Sequence, residues 1–370
     1  MTALAEILDR LTVPGELYEP QPEGAVRCVA CAHRCLIKPG RRGICQVRFN
    51  HEGQLRVPWG YVAALQVDPI EKKPFSHFLP GTDALTFGML GCDFHCPYCQ
   101  NWVTSQALRD PLSDSSIRYI EGITPEQMVN IALSQRCASI VSSYNEPLIT
   151  SEWAVSIFKL AKQAGLACAY VSNGNATPEV LDYLAPYLDA YKVDLKCMQD
   201  RSYRQLGGVL QHVLDTIQMA HQRNLWVEVV TLLVPGFNDS NEELWEAARF
   251  LVSVSPDIPW HITAYHPDYK MDAPPTTAQM LKTAAEIGQE AGLRYVYAGN
   301  LPGRVGSLED THCPHCQRAV IRRRGYVILE YAITAEGKCP DCGTPIPGRW
   351  HANPQDVRLH GPGFPKPVRF

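Results

Sequence analysis

Between residue 84 and about 300 the spacing of apolar positions changes period again and again. Short runs rich in β-branched and aromatic residues predict strands over 85–90, 139–143, 166–172, 190–195, 226–234 and 261–265, with a weaker seventh over 295–298. Between them, apolar residues recur every three or four positions and predict helices over 125–134, 152–163, 178–184, 210–223, 241–254 and 277–291. Thr124 before Pro125 and Thr177 before Pro178 have the form of an N-cap followed by proline at the first helical position. Alternation of this kind, repeated six or seven times, belongs to parallel βα units sharing one sheet. The fold class is α/β, and the number of units suits a full or partial (β/α) barrel, with reactive groups on loops at the C-terminal ends of the strands. A doubly wound open sheet competes, but no GxGxxG follows any predicted strand.

The flanks differ in composition from this core. A cysteine-rich extension occupies residues 1–80, the alternating core 81–305, a second cysteine-rich segment 306–350 and a tail 351–370. Residues 301–370 carry a net +4 against −8 for the rest, and the Pro- and Gly-rich tail from Pro354 reads as a poorly ordered end. Hydrophobic residues make up 45% and charged residues 19%, which excludes a disordered chain. The net charge of −4 gives no general attraction to nucleic acid or membrane. No apolar run approaches the ~20 residues of a membrane span, and the first eleven residues lack the basic, apolar, cleavable layout of a leader. The expected location is the cytoplasm.

Cysteine changes the picture. Of 14, four fall between Cys28 and Cys45, three between Cys92 and Cys99 and four between Cys313 and Cys342. Disulfide frameworks belong mainly to small secreted domains, so gaps of two or three residues in this chain read as metal sites. The central set is Gly91-Cys92-Asp93-Phe94-His95-Cys96-Pro97-Tyr98-Cys99, placed directly after the first predicted strand. Three thiolates on one loop can hold three irons of a [4Fe–4S] cube and leave the fourth open to a small molecule. A zinc site with His95 as fourth ligand is the competing reading.

Cys313, Cys316, Cys339 and Cys342 form two CxxC knuckles around a β-rich stretch, the pattern of a zinc ribbon whose four thiolates close a structural Zn²⁺ shell. Arg322, Arg323 and Arg324 lie within it and are compatible with an RNA contact or with a solvated strand edge. Cys28, Cys31, Cys35 and Cys45 suit either zinc or a fully ligated auxiliary iron–sulfur cluster, and spacing does not choose.

The central loop resembles the signature of radical S-adenosylmethionine (SAM) enzymes, in which an aromatic residue, here Tyr98, precedes the third cysteine. The resemblance continues after each following strand. Ser143-Tyr144-Asn145-Glu146-Pro147 stands where that family has a Gly-Gly-Glu-Pro-like turn that receives the SAM amino group, with Tyr144 and Asn145 replacing the glycines. Ser172-Asn173-Gly174-Asn175 is similar to the turn that meets the ribose, and Asp194-Leu195-Lys196 to the DLK near the methionine carboxylate in pyruvate formate-lyase activating enzymes. Val234-Pro235-Gly236-Phe237-Asn238-Asp239 looks like their adenine loop, with Gly236 at its turn, and Tyr265-His266 like the pair at the mouth of the active site.

The order of motifs, with C-x₂-C-x₃-C-x₉-C and DPIEKKPFSHFLPG ahead of the loop, most resembles the AmmeMemoRadiSam system radical SAM enzymes over residues 25–300. The resemblance implies a barrel of radical SAM type with a [4Fe–4S] cluster on Cys92, Cys96 and Cys99. It also implies bound SAM, His266 among the catalytic residues, and AMMECR-type and Memo-type protein partners. The expected activity is reductive cleavage of SAM to a 5′-deoxyadenosyl radical that acts on a protein or RNA, with an electron donor such as flavodoxin or ferredoxin. A reaction on a small molecule and a non-catalytic iron–sulfur and zinc scaffold are the alternatives.

Overall fold

The computed structural model describes residues 3–368. Its centre is a nine-stranded sheet. Strand β1 (Ala64–Pro69) leads into β2 (Asp83–Gly88), β3 (Ser139–Ser142), β4 (Ala167–Ser172), β5 (Ala190–Asp194), β6 (Trp226–Leu233), β7 (Trp260–Ala264) and β8 (Val296–Gly299). Strands β2 to β8 are all parallel, and each lies beside its predecessor. Between them run helices α1 (Pro125–Ser134), α2 (Ser151–Gln163), α3 (Pro178–Leu184), α4 (Leu210–Gln222), α5 (Asn241–Val254) and α6 (Ala278–Glu290). Thr124 accepts from the Gln127 amide while Gln127 accepts from the Thr124 amide, a complete capping box, and Thr177 caps α3 through Val180.

The strand order never reverses, which excludes the doubly wound alternative, whose order turns back at a switch point. It also stops short of a closed barrel. β1 pairs antiparallel with β2, and Lys366–Pro367 pairs antiparallel with β1, so these occupy the edge that closure would need for β8. Among the described residues the sheet is open and mostly parallel. The tail departs from expectation. Arg358 makes a two-pronged ion pair with Asp83 at 2.6 and 2.8 Å, and this fork draws the Pro- and Gly-rich segment across the sheet edge instead of leaving it loose. No helix among the described residues is long and apolar enough to cross a membrane.

The ribbon covers the opposite edge. Tyr295 and Tyr297, at the start of β8, share an apolar cluster with Cys313, Val320, Ile321 and Ile328. Residues 75–78 are held between this ribbon and the sheet. Glu228 on β6 accepts from the backbone amides of Ser76 and His77 at 2.9 Å each, and Arg323 donates to the Ser76 carbonyl at 2.7 Å. The two ring nitrogens of His77 meet the Pro347 carbonyl and the Tyr297 hydroxyl, both at 2.6 Å. Arg323 is therefore buried, and only Arg322 and Arg324 face outward, because strand residues alternate sides. The three arginines do not make one basic face.

Burial lowers the pKa of His77 from 6.5 to about 4, with no compensating shift large enough to restore it. The unfolded chain therefore takes up a proton that the folded chain refuses. Stability held above pH 6.5 is lost as the pH falls towards 4, by roughly 2–4 kcal/mol in total. Urea unfolding across that window should show the loss in the native protein and a flatter profile in His77→Gln. Equal slopes for the two proteins would remove His77 as the titrating group.

Candidate functional site

Strand β2 ends at Gly88, and the next amide, Met89, donates to the Asn145 side chain at 3.0 Å instead of extending the ladder. Gly88 has no alternative at this crossing, since a Cβ would lie 2.6 Å from the Ser143 carbonyl oxygen. The chain then enters the cysteine loop. Cys92, Cys96 and Cys99 line a cavity of about 110 Å³ together with Tyr144, Asn145, Glu146, Ser172, Asn173, Asp194 and Lys196. Loops after β2, β3, β4 and β5 thus converge at one end of the sheet.

The turns hold one another. Glu146 is buried and accepts three bonds: Ser172 Oγ at 2.8 Å and the Leu148 amide at 3.0 Å on one oxygen, and the Asn173 amide at 2.7 Å on the other. Burial, then the neighbouring Asp93, pushes its pKa up to about 8. Asp93 is wholly buried and accepts from Asn173 Nδ2 at 2.7 Å and Asn175 Nδ2 at 2.8 Å. Asp194 pairs with Lys192 and, at 3.2 Å, with Lys196. Burial alone would raise the Asp194 pKa, but the two lysines overcome it and hold it at about 2. Tyr144, in the left-handed region at φ 66°, donates its hydroxyl to Asp68, which also pairs with Lys73 at 2.6 Å.

The thiols are set up for a metal and not for free reactivity. Burial pushes Cys96 up to about 12, opposed by Lys196, and raises Cys92 as well, helped by Asp93 and Glu146. Such thiols stay protonated until a cation supplies compensating charge, and the donor set of three soft sulfurs fits iron–sulfur ligation. His95 offers no fourth ligand here, because its exposed ring lies over Gly207 and outside the cavity.

Three expected residues, Tyr98, Gly236 and His266, stand outside the cavity lining. Gly236 forms an exposed turn at φ 76°, its amide donating to Asp239 at 2.9 Å, and the neighbouring Phe237 meets buried Tyr98 edge-on at 5.7 Å. His266 is exposed and bonds Gln100 at 2.9 Å. Gln100, Asn101 and Tyr144 border a second, larger groove of about 560 Å³ with Lys72, Leu65, Tyr119 and Val368. Asp93, Asn175, Asp68, Lys73 and Lys192 were not expected at the site. Asp93 stands inside the cysteine loop and Lys192 two residues before Asp194, on the same strand face, so both left a local signal.

In the ribbon the four thiols of Cys313, Cys316, Cys339 and Cys342 all lie within 4.8 Å of one another. Sulfur pairs are 3.5 Å (Cys313–Cys342) and 3.6 Å (Cys316–Cys339) apart. A single tetrahedral ion with metal–sulfur bonds of about 2.3 Å needs roughly 3.8 Å, so this group can bind one metal ion.

Comparison with known proteins agrees with the geometry. A family model described as the radical SAM superfamily matches residues 87–251. An uncharacterized protein of Methanocaldococcus jannaschii is 37% identical over 333 residues, spanning 89% of this chain and 97% of that one. The pyruvate formate-lyase 1-activating enzyme of Escherichia coli K12 is 26% identical over 57% of this chain and 90% of its own. The solved structure of a radical SAM methyltransferase from Sphaerobacter thermophilus aligns with 62% of this chain and 70% of its own, at 17% identity and a TM-score of 0.46.

Because tetrahedral closure needs all four ribbon thiols, a Cys339→Ala protein should lose about one equivalent of tightly bound metal per chain and melt at a lower temperature. Elemental analysis that finds the same metal content in both proteins would show that the knuckles hold none.

Proposed function

The chain belongs to the radical SAM superfamily and is an enzyme related to the activating enzymes, and from that premise we propose that it cleaves SAM reductively and turns the resulting radical on a macromolecule, in the first instance a protein. The observation that carries this reading is the shared cavity: three buried thiols at the strand ends together with Glu146, Ser172, Asn173 and Lys196. Membership of the superfamily implies a [4Fe–4S] cluster and SAM, and Cys92, Cys96 and Cys99 would hold the cluster. When bound, that cluster supplies the electron that splits SAM into methionine and a 5′-deoxyadenosyl radical.

The chain's own residues bind and orient. Glu146, already committed to three internal bonds, braces the turn whose backbone would receive the SAM amino group. Lys196, steered by Asp194, is the cation for the methionine carboxylate. Ser172 and Asn173 would meet the ribose, and the loop of Tyr98, Gly236 and Phe237 the adenine.

The macromolecular substrate rests on the larger groove, which borders the thiol cavity at Asn101 and Tyr144 and opens to the surface. The Escherichia coli relative is named for activating an enzyme, pyruvate formate-lyase, which favours a protein as the substrate class. RNA is the weaker reading, because Arg323 is turned inward to Ser76 and Thr311. The proposal extends to zinc in the ribbon, to AMMECR-type and Memo-type partners in an AmmeMemoRadiSam system, and to a flavodoxin- or ferredoxin-class electron donor.

Anaerobically reconstituted protein with SAM and dithionite should release 5′-deoxyadenosine and methionine, measured by mass spectrometry. Cys96→Ala should abolish release, and Lys196→Ala should weaken SAM binding at least several-fold while leaving the cluster absorbance intact. Full-rate cleavage by Cys96→Ala would refute the assignment. Stimulation by a host-cell fraction that protease destroys supports a protein substrate. Stimulation by an ultrafiltrate of small molecules alone would overturn that part.

A further inference from the structure

The N-terminal extension carries four thiols that the proposed reaction does not use. Antiparallel pairing of Val26–Cys28 with Leu36–Ile37 sets Cys28 against Cys35, the Cys28 amide donating to the Cys35 carbonyl at 3.0 Å. Gly43 approaches the same spot, where a Cβ would lie 3.7 Å from the Cys35 sulfur, and Cys45 follows two residues later. Cys28, Cys31 and Cys45 are buried and Cys35 is half-buried. Each of Cys31, Cys35 and Cys45 interacts electrostatically with Cys28. We propose that Cys28, Cys31, Cys35 and Cys45 bind a second [4Fe–4S] cluster, every iron of it ligated by the chain, packed against the back of the loop that carries Cys92.

Three observations point to a thiolate-bound metal centre here and not to core packing. A backbone amide reaches sulfur: Ile44 donates to Cys35 at 3.5 Å. Amides aimed at sulfur favour thiolate and are a usual part of iron–sulfur sites. The Arg48 guanidinium, 1% exposed, adds a buried cation that interacts with Cys28 and Cys45. Its Nη atoms are taken by Glu152 and the Ile149 carbonyl, but its Nε has no partner, and a buried donor is costly to leave so. His33 Nε2, on the stretch between Cys31 and Cys35, is likewise buried without a hydrogen bond.

Separation decides between zinc and a cluster. The ribbon thiols gather within 4.8 Å, as one ion requires. Among the described residues no three of the N-terminal thiols gather so closely, and neither do Cys92, Cys96 and Cys99. One chain thus holds one tight quartet and two looser sets. A cube with an iron at each of four corners holds its thiolates farther apart than a single ion can. The looser N-terminal set therefore matches the cysteine loop and not the ribbon.

Position gives the site its meaning. A Cβ on Gly91 would lie 3.1 Å from the Cys45 carbonyl oxygen. Arg109 donates both to the Ile44 carbonyl at 2.7 Å and to the Cys92 carbonyl at 3.1 Å. Asp93, the residue after Cys92, interacts with both Cys31 and Cys92 and lies 4.0 Å from His33. The two sets share one wall.

The choice of a cluster over zinc rests on the radical SAM reading of the Cys92 loop, and the test separates the two. A Cys92→Ala/Cys96→Ala/Cys99→Ala protein, reconstituted anaerobically with iron and sulfide, should keep about four irons and four sulfides per chain. Adding Cys35→Ala to that background should remove or degrade them while the ribbon metal stays. Iron absent from the triple variant, with two zinc ions or with ribbon metal alone, would overturn the proposal whatever the native protein does with SAM. Should the triple variant fail to fold, Cys35→Ala alone serves: it should lose about half of the native protein's iron, and unchanged iron would refute the site. The electron paramagnetic resonance spectrum of the reduced native protein should show two interacting centres. A spectrum equal to the sum of the two separate centres would overturn the shared wall.

Discussion

Asp93 has no exposed surface, and a carboxyl group out of water must find its hydrogen bonds inside the protein. It finds them in the side-chain amides of Asn173 and Asn175, on the turn after β4. That turn is held in its place because the Asn173 amide and the Ser172 hydroxyl are both committed to Glu146, after β3. Three loops from three neighbouring strands are thereby locked together around the cysteines. The turn after β4 is fixed by acids from both of the other loops. The demand of two buried carboxyl groups for partners is what turns a row of strand ends into one cavity.

The rest of the sheet is arranged about that end. Tyr144 extends the cavity wall inward to Asp68, where Lys72 and Lys73 gather, and so links the antiparallel strand β1 to the loops. The loop after β7 closes over the cysteine loop from the other side: Tyr269 stacks on Trp102 at 5.2 Å, and Lys270 donates its amide to the Pro97 carbonyl at 2.9 Å. The ribbon meets this region only at its far side, where Tyr326 and Arg323 share a cavity with Lys72. It packs at the start of β8 and on residues 75–78, at the far end of the strands, and leaves the groove beside Tyr144 open. A ribbon that presents substrate to the cysteines from that position would have to act across the sheet, which makes a structural role the simpler one.

Much of this was legible in the chain. Period alone predicted the seven parallel strands and six helices, because fully buried parallel strands read as short apolar runs and amphipathic helices as a three-to-four repeat. Thiol spacing separated three metal-type sets, and the motif order placed Glu146, Ser172, Asn173 and Lys196 after successive strands, where the structure brings them to one cavity. These are local properties: ligand spacing, caps and turns are written in a few adjacent residues.

What tertiary structure alone decided concerns partners far apart in sequence. Nothing near Pro354 says that Arg358 will find Asp83, yet that ion pair turns an apparent loose tail into an edge strand and leaves the sheet open. Strand alternation hints that the three consecutive arginines split their directions, but only packing against Ser76 shows which one is buried. The spacing of Cys28 to Cys45 allows a single ion or a cluster equally, since spacing limits reach without setting the distance between sulfurs. That distance is set by how the extension folds against the Cys92 loop. Chain-local chemistry names the donors; long-range packing fixes how far apart they stand and therefore what they can hold.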